Sequence, residues 1–383
     1  MRTLFPTNLW RTLAIMCHTR RPHALHHTVS LSLALAAFAP LLLAGCGRPE
    51  STENTSQTAP SSTNATVGTS GSEGAGKPIE NLKVALVTSG PISDNGWNAG
   101  AYKGLQEVKA ATGAEVQNVE APKAPEQKEN LSAFAAKQYH IVYAHGAEYE
   151  EVALELEKNF PNTLFVISSG RKVGKNTTPI IYHLEDGAYL LGMLAAGMSK
   201  SGKIAAVGAQ DIVPVKSVFL AFEAGAKAVK PDITILPPVY TGSWDDVSKA
   251  KDQTLALLDQ GADIIIQDVD AAALGVFNAV EERAKSGKEV YALGTNSDQN
   301  GVKPSVVLAS APIYYDKPFI EIAKQVKAGT FKPNAQPFGM KEGVIDFVLN
   351  PQLEAKIPAD LKKKIEETKQ KIKDGTFTVP KGN

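Results

Sequence analysis

The chain has 383 residues, 43% hydrophobic and 21% charged, with 40 Lys and Arg against 40 Asp and Glu, a globular composition with room for one large domain or two ordinary ones. Residues 1–45 carry four Arg, four of the seven His and no acid, which leaves 36 basic against 40 acidic residues in the remainder. A mildly acidic body argues against nucleic-acid binding, which relies on clustered positive charge, and only two Cys argue against a disulfide framework or a Cys-based zinc site.

In chain order, basic residues end at His27 and residues 29–43 form an uncharged apolar run of 15 residues. A bilayer-spanning helix usually needs about 20 apolar residues, so this run reads as the core of a signal peptide over 1–45. It ends in Leu43-Ala44-Gly45-Cys46, which resembles the lipobox of bacterial lipoproteins. The resemblance implies that the Cys46 thiol is acylated with diacylglycerol and that Cys46 becomes the new N-terminus. From 47 to 78 the residues are mostly Ser, Thr, Gly, Asn and Glu, with Val67 the only large aliphatic one. Such a stretch buries too little apolar surface to offset its ordering entropy. Residues 46–79 are therefore expected to be a disordered tether, holding the folded body at the membrane and outside the cytoplasm.

The body alternates strand and helix. Short apolar runs at 83–88, 141–144, 164–167, 180–182, 203–207, 233–239, 263–267, 290–294 and 306–310 read as strands. Helical periodicity marks 148–159, 215–229, 247–260 and 274–286. Asp94 or Asn95 is placed to cap a first helix, and Asp245 or Asp246 to cap the one that starts at Val247. This alternation implies an α/β fold with parallel sheets covered by helices, and so many strands favour two lobes. Lys and Glu at i,i+4 spacing make the end of the chain, 359–383, a solvated surface helix and tail. Ligands of open α/β sheets bind outside the carboxyl ends of strands, which singles out the loops at 89–98, 145–148, 241–246, 267–270 and 295–299.

The first of these loops holds Ser93-Asp94-Asn95-Gly96-Trp97-Asn98, followed by Ala101-Tyr102-Lys103-Gly104-Leu105. Later come Phe222-Glu223-Ala224-Gly225-Ala226-Lys227, Tyr240-Thr241-Gly242-Ser243-Trp244-Asp245-Asp246, Leu258-Asp259-Gln260-Gly261-Ala262-Asp263 and Gly294-Thr295-Asn296-Ser297-Asp298-Gln299. Ile357-Pro358-Ala359-Asp360-Leu361 opens the final stretch, which runs to Val379-Pro380. In this order and spacing, over about 80–381, the chain resembles the basic membrane protein family, lipoprotein substrate-binding proteins of ABC transporters whose better-known members bind purine nucleosides. The resemblance implies a type I periplasmic-binding-protein clamshell, two parallel-sheet lobes joined by three crossovers. Lobe 1 would take 80–182, lobe 2 would take 183–293, and 294–358 would return to lobe 1 and the hinge. It further implies a small-molecule ligand in the cleft, closure of the lobes, delivery to an ABC permease and no need of a cofactor. A sensory lipoprotein that docks on a membrane receptor without transport is the alternative. No oligomer signal is present and a monomer is expected.

Each candidate residue has a ligand reading and a structural one. Trp97 and Trp244 stand where the family usually has Phe; they stack on a heterocycle or pack as core. Asp94, Asn95 and Asn98 hydrogen-bond a ligand or, in the first two cases, cap the helix. His145 and Glu148 contact ligand or shape their loop; acid–base or metal chemistry is the remote option, since the other body His are not at ligand spacing. Asp268 and Asp270 select a hydroxylated or cationic ligand, or cap the helix that follows. Two positions depart from the family's nucleoside pattern. Asn296 stands where an Asp usually grips ribose hydroxyls, and Tyr314 lies in a run that lacks the usual Lys. Loss of both charges points to a changed ligand. No phosphate-cradling Gly-rich loop, Gly-x-Ser-x-Gly elbow or body Cys supports an enzyme or a bound cofactor.

Overall fold

The computed structural model describes residues 77–380, all within one unit of the chain, Ser70–Asn383. The signal peptide, Cys46 and nearly all of the tether lie outside the described residues.

Lobe 1 opens with β1 (Lys83–Thr88) and α1 (Trp97–Thr112), then β2 (Glu115–Glu120), α2 (Ala124–Ala136), β3 (Ile141–His145), α3 (Glu150–Leu156), β4 (Leu164–Ser168) and β5 (Thr177–Tyr182). Lobe 2 follows with α4 (Glu185–Met198), β6 (Lys203–Gly208), α5 (Val213–Val229), β7 (Thr234–Ile235), β8 (Val239–Tyr240), α6 (Val247–Asp259), β9 (Ile264–Asp268), α7 (Ala273–Lys285), β10 (Tyr291–Asn296) and β11 (Val307–Pro312). The last elements are α8 (Asp316–Lys327), β12 (Gln336–Phe338), β13 (Val348–Leu349) and α9 (Ala359–Lys373).

Two sheets result. The first runs β12-β5-β4-β3-β1-β2, and the second runs β13-β11-β10-β9-β6-β7 with β8 also on β6. Every pair is parallel except β11 with β13. Central strands such as β3, β4 and β9 are buried along their whole length, as strands covered by helices on both faces must be. The edge strand β2, Glu-Val-Gln-Asn-Val-Glu, is polar and half-exposed, which is why no apolar run announces it. The run at 233–239 is broken by Pro237 and Pro238 into the two short strands β7 and β8, since proline cannot donate to a ladder.

The chain passes between sheets after Tyr182, after Pro312 and after Phe338. Three crossings are thus present, but the second comes later than the boundary at 294 read from sequence. Both β10 and β11 stay in the second sheet, where Leu293 pairs with Ala309. Only α8, which packs on α1, and β12, which pairs with β5, return to lobe 1. The C-terminal helix also differs from a purely solvated one. Leu361, Ile365 and Ile372 form an apolar stripe buried in the lobe 2 core, and a Cβ on Gly197 of α4 would sit 2.4 Å from the Leu361 side chain.

Helices α4 and α5 make the closest packing in lobe 2. A Cβ on Gly192 would fall 1.9 Å from the Phe222 carbonyl oxygen, and one on Gly225 would fall 1.9 Å from that of Tyr189. Each helix presses its backbone into a gap that only glycine leaves in the other, so lobe 2 is built on a rigid helix pair.

Candidate functional site

The carboxyl ends of the strands of both sheets meet in one region. On the lobe 1 side, Thr88 of β1 is in register with His145 of β3, and β4 and β5 end in Ser168 and Tyr182. On the lobe 2 side, β9 ends in Asp268 and β10 ends in Asn296. Ser297 Oγ of the second lobe donates to the Asn95 carbonyl of the first.

Asp94 is buried and fully engaged. One carboxylate oxygen accepts from the Gly96 and Ala99 N–H groups, both at 2.9 Å. The other accepts from the Asn98 N–H at 2.9 Å and from Asn98 Nδ2 at 3.0 Å. The side chain therefore satisfies the first free donors of α1, as an N-terminal acid does best. Asn98 has no such freedom of role: its amide must point Nδ2 at Asp94, which fixes its Oδ1 as a buried acceptor with no hydrogen-bond partner.

Trp97 is partly buried in an aromatic cluster. Its ring stacks on His145 with centroids 4.1 Å apart, and meets Tyr182 and Tyr315 edge-on at 6.0 and 5.6 Å. The indole N–H donates to the His145 carbonyl at 3.3 Å, while His145 Nε2 lies 3.0 Å from the Trp97 carbonyl. That carbonyl can only accept, so Nε2 carries the proton and Nδ1 accepts from the Ser168 hydroxyl at 2.8 Å. Burial pulls the His145 pKa down to about 3. The imidazole is neutral with both nitrogens committed, an arrangement that suits packing and not proton transfer. Gly100 lets Tyr315 lie against α1, because a Cβ there would meet its ring at 2.4 Å.

The second lobe supplies two carboxylates and one amide. Asn296 Nδ2 stands 3.1 Å from Asp268 Oδ1 and 3.1 Å from Asp270 Oδ1. Burial pushes the Asp268 carboxyl up to about 6, with hydrogen bonds from Asn296 and Thr295 working the other way. Asp270 is held well above the usual carboxylate range by burial, then by the charges of Asp94 and Asp268; the Asn296 amide and the Trp97 N–H offset this in part. A Cβ on Gly96 would come within 3.6 Å of Asp270 Oδ1, so this lobe 2 acid sits directly over the start of α1. Behind it, Gln267 Nε2 donates to Gln299 Oε1 at 2.8 Å and Thr295 Oγ1 to the Gln267 carbonyl at 3.0 Å. A cavity of about 230 Å³ opens alongside, lined by Ser93, Asp94, Asn95, Asp270, Phe277 and Gln299 among others.

Backbone strain gathers at the same place. Five described non-glycine residues have left-handed backbone, and three of them are Asn95, Asp270 and Asn296, with φ of 58°, 46° and 65°. Asn and Asp tolerate this region best, yet each such residue still costs of order 1–3 kcal/mol.

The remaining sequence candidates take other positions. Trp244 is half-buried against the core of lobe 2, its carbonyl accepting from the Ala272 N–H at 3.0 Å. Glu148, beside Gly146 at the end of β3, is exposed as a residue, but its carboxylate hydrogen-bonds Ser89 in the loop after β1 and is raised above the usual range by desolvation. Tyr314 is 37% exposed, with the Lys317 ammonium 5.2 Å from its ring centre. The structure brings its neighbour Tyr315 into the aromatic cluster instead, together with Tyr182. Neither was a sequence candidate, although Tyr182 closes an apolar strand, the position that marked the other loops. Among the described residues no cluster of His, Cys, Asp and Glu could hold a metal ion, and no helix is long and apolar enough to cross a membrane.

The Bmp family model, described as ABC transporter substrate-binding protein PnrA-like, matches residues 81–382. A purine-binding protein of Brucella abortus (strain 2308) is 29% identical over 313 residues, 80% of this chain and 86% of its own length. An ABC transporter nucleoside-binding protein of Lactococcus lactis subsp. cremoris (strain MG1363) is 27% identical over 368 residues, 91% of this chain and 97% of its own. Among solved structures, an ABC transporter solute-binding protein of Aeropyrum pernix K1 superposes with a TM-score of 0.71 at 21% identity, over 79% of this chain and 94% of that one. At that identity the likeness speaks for the fold.

Proposed function

This chain belongs to the Bmp family of ABC transporter substrate-binding proteins, and on that footing we propose that it is an extracytoplasmic receptor, anchored through Cys46, for a small aromatic or heterocyclic solute of nucleoside type. The ligand is captured between the lobes, closure contacts it from both sides, and the closed form presents it to an ABC permease. The observation that carries this reading is the meeting of the two lobes' strand ends. Asp268, Asp270 and Asn296 of lobe 2 face the loop 93–98 and Trp97 of lobe 1. Polar groups that converge beside aromatic walls at strand ends are what a small-molecule cleft requires. The names of the Brucella and Lactococcus relatives support a purine or nucleoside as the starting class.

Three carboxylates at the cleft also say what is refused. The start of α1 already has its N–H groups bonded to Asp94, and Asp270 stands over it, so a phosphate arriving there meets negative charge and no free donor. Nucleotides are excluded while nucleosides and bases are admitted. A thermal-shift screen of the detergent-purified chain against nucleosides, nucleobases and nucleotides tests this. A ligand at ~100 times its dissociation constant adds about 2.7 kcal/mol of stability. Stabilisation by a base or nucleoside and not by its 5′-phosphate is the expected result; silence from every heterocycle sinks the proposal. Cys46→Ser is expected to move the protein from the membrane fraction to the soluble one, and persistence in the membrane overturns the anchor.

A further inference from the structure

The cleft holds more acid than a sugar needs. The charges of Asp94 and Asp268 both bear on Asp270, and no Lys or Arg acts on the two lobe 2 carboxylates. The one donor shared by that pair is the Asn296 amide, which spans both Oδ1 atoms at 3.1 Å and leaves both Oδ2 atoms to other partners. A ribose grip works differently, through one carboxylate that accepts from vicinal hydroxyls, and position 296 has no carboxylate.

Two further buried groups point to a ligand. The Tyr315 hydroxyl is buried without a hydrogen-bond partner, on a residue 2% exposed, and it lies in the field of Asp270, Asp94 and Asp268. Asn98 Oδ1 is likewise buried and unpartnered, on a residue 4% exposed, and its amide is fixed against Asp94. Unmet buried polar groups are rare in native proteins and demand an explanation. Here both stand one residue behind the lining of the 230 Å³ cavity, Asn98 through its bond to Asp94 and Tyr315 through Trp97, whose N–H reaches Asp270, while Asp94 and Asp270 line the cavity itself, which is smaller than the ~300 Å³ at which drug-sized pockets begin. Trp97 and Tyr315 pack edge-on at 5.6 Å beside these groups.

We propose that the ligand is a planar nitrogen base with an amidine-type edge, an N–H donor on an exocyclic nitrogen conjugated to a ring or imino nitrogen, which meets Asp268 and Asp270. The exocyclic N–H groups donate to the Asp268 and Asp270 carboxylates and to Asn98 Oδ1, and the Tyr315 hydroxyl donates to a ring nitrogen. Binding that adds positive charge or N–H donors relieves the repulsion between the paired acids, whereas an oxo group at the same place adds to it. This inference rests on the receptor reading above and narrows its ligand.

The test uses matched pairs by calorimetry on the detergent-purified chain: adenine against hypoxanthine, adenosine against inosine, and benzamidine against benzamide. The expected result is at least about tenfold tighter binding of the amidine member in each pair, because a site built around a hydrogen bond strongly rejects the analogue that lacks it. Asp270→Asn and, separately, Asp268→Asn are expected to reduce that preference to within about threefold, with a cooperative melt showing that each variant folds. Oxo members that bind as well as their partners, or a preference that survives both substitutions, overturn this inference and leave the receptor reading standing. No binding by any of the six compounds overturns both.

Discussion

Asp94 and the pair Asp268–Asp270 are buried acids at opposite walls of the same cleft, and their circumstances are opposite. Asp94 accepts three backbone N–H groups and one amide. The pair shares one amide between two carboxylates, with one further hydrogen bond each from Thr295 to Asp268 and from the Trp97 N–H to Asp270, and burial still drives both toward protonation. Fully matched charge holds structure together; undermatched charge weakens the fold and is kept where something else must supply the match. The first wall is a scaffold, and the second is the place where a ligand is recognised.

Substitution should separate these roles by sign. Asp94→Ala strips a charged acceptor from the start of α1 and leaves Asn98 Nδ2 buried without a partner. A loss of about 4 kcal/mol in chemical denaturation is expected, and a loss below 1 kcal/mol would show that the contrast is unreal. Asp268→Asn should do the reverse. The carboxyl's pKa rises from 3.8 to about 6 on folding, so between these values the folded protein holds a proton that the unfolded chain has released. Stability from this group is then present at low pH and falls as pH rises through the window, by about 3 kcal/mol. The variant should match wild type near pH 4 and exceed it by about that amount at pH 8. Parallel pH profiles for the two proteins would contradict the undermatched charge.

Asn296→Asp sharpens the point. It removes both amide bonds and adds a third acid to the pair, so a loss of about 2 kcal/mol at pH 7.5, shrinking toward pH 5, is expected from urea titrations. The smallest effect belongs to Trp97→Phe, which keeps a ring against His145 and gives up the indole hydrogen bond to its carbonyl. About 1 kcal/mol of stability should go, with a melt at unchanged pH as the check; a larger loss would mean that the ring's outer edge also packs.

Much of the frame was legible because buried parallel strands are apolar along their length. The run at 83–88 coincides with β1, and those at 164–167 and 203–207 fall one residue short of β4 and β6. The polar edge β2 and the short strands β12 and β13 leave no such trace, and their pairing joins residues far apart in the chain. Gln336, for example, pairs with Ile180. The later second crossing was hidden for the same reason, since β11 looks like any other apolar strand until its partners are known. Site residues followed the rule. Loops after strands pointed to Asp94, Trp97, His145, Asp268 and Asn296, but could not tell capping from recognition, because that depends on how many donors surround each oxygen. Tyr314 and Tyr315 are adjacent in sequence, and only the entry into α8 decides which one turns inward.

The three crossings have one more consequence. The described chain enters beside lobe 1, where the Ile79 N–H bonds to the Lys327 carbonyl at 2.8 Å, and it leaves from lobe 2, with Val379 buried in that core. Its two ends therefore belong to different halves of the molecule. A pair of fluorophores placed at 79 and 379 would turn any change in the angle between lobes into a change in energy transfer, an optical reporter wired into the order of the chain.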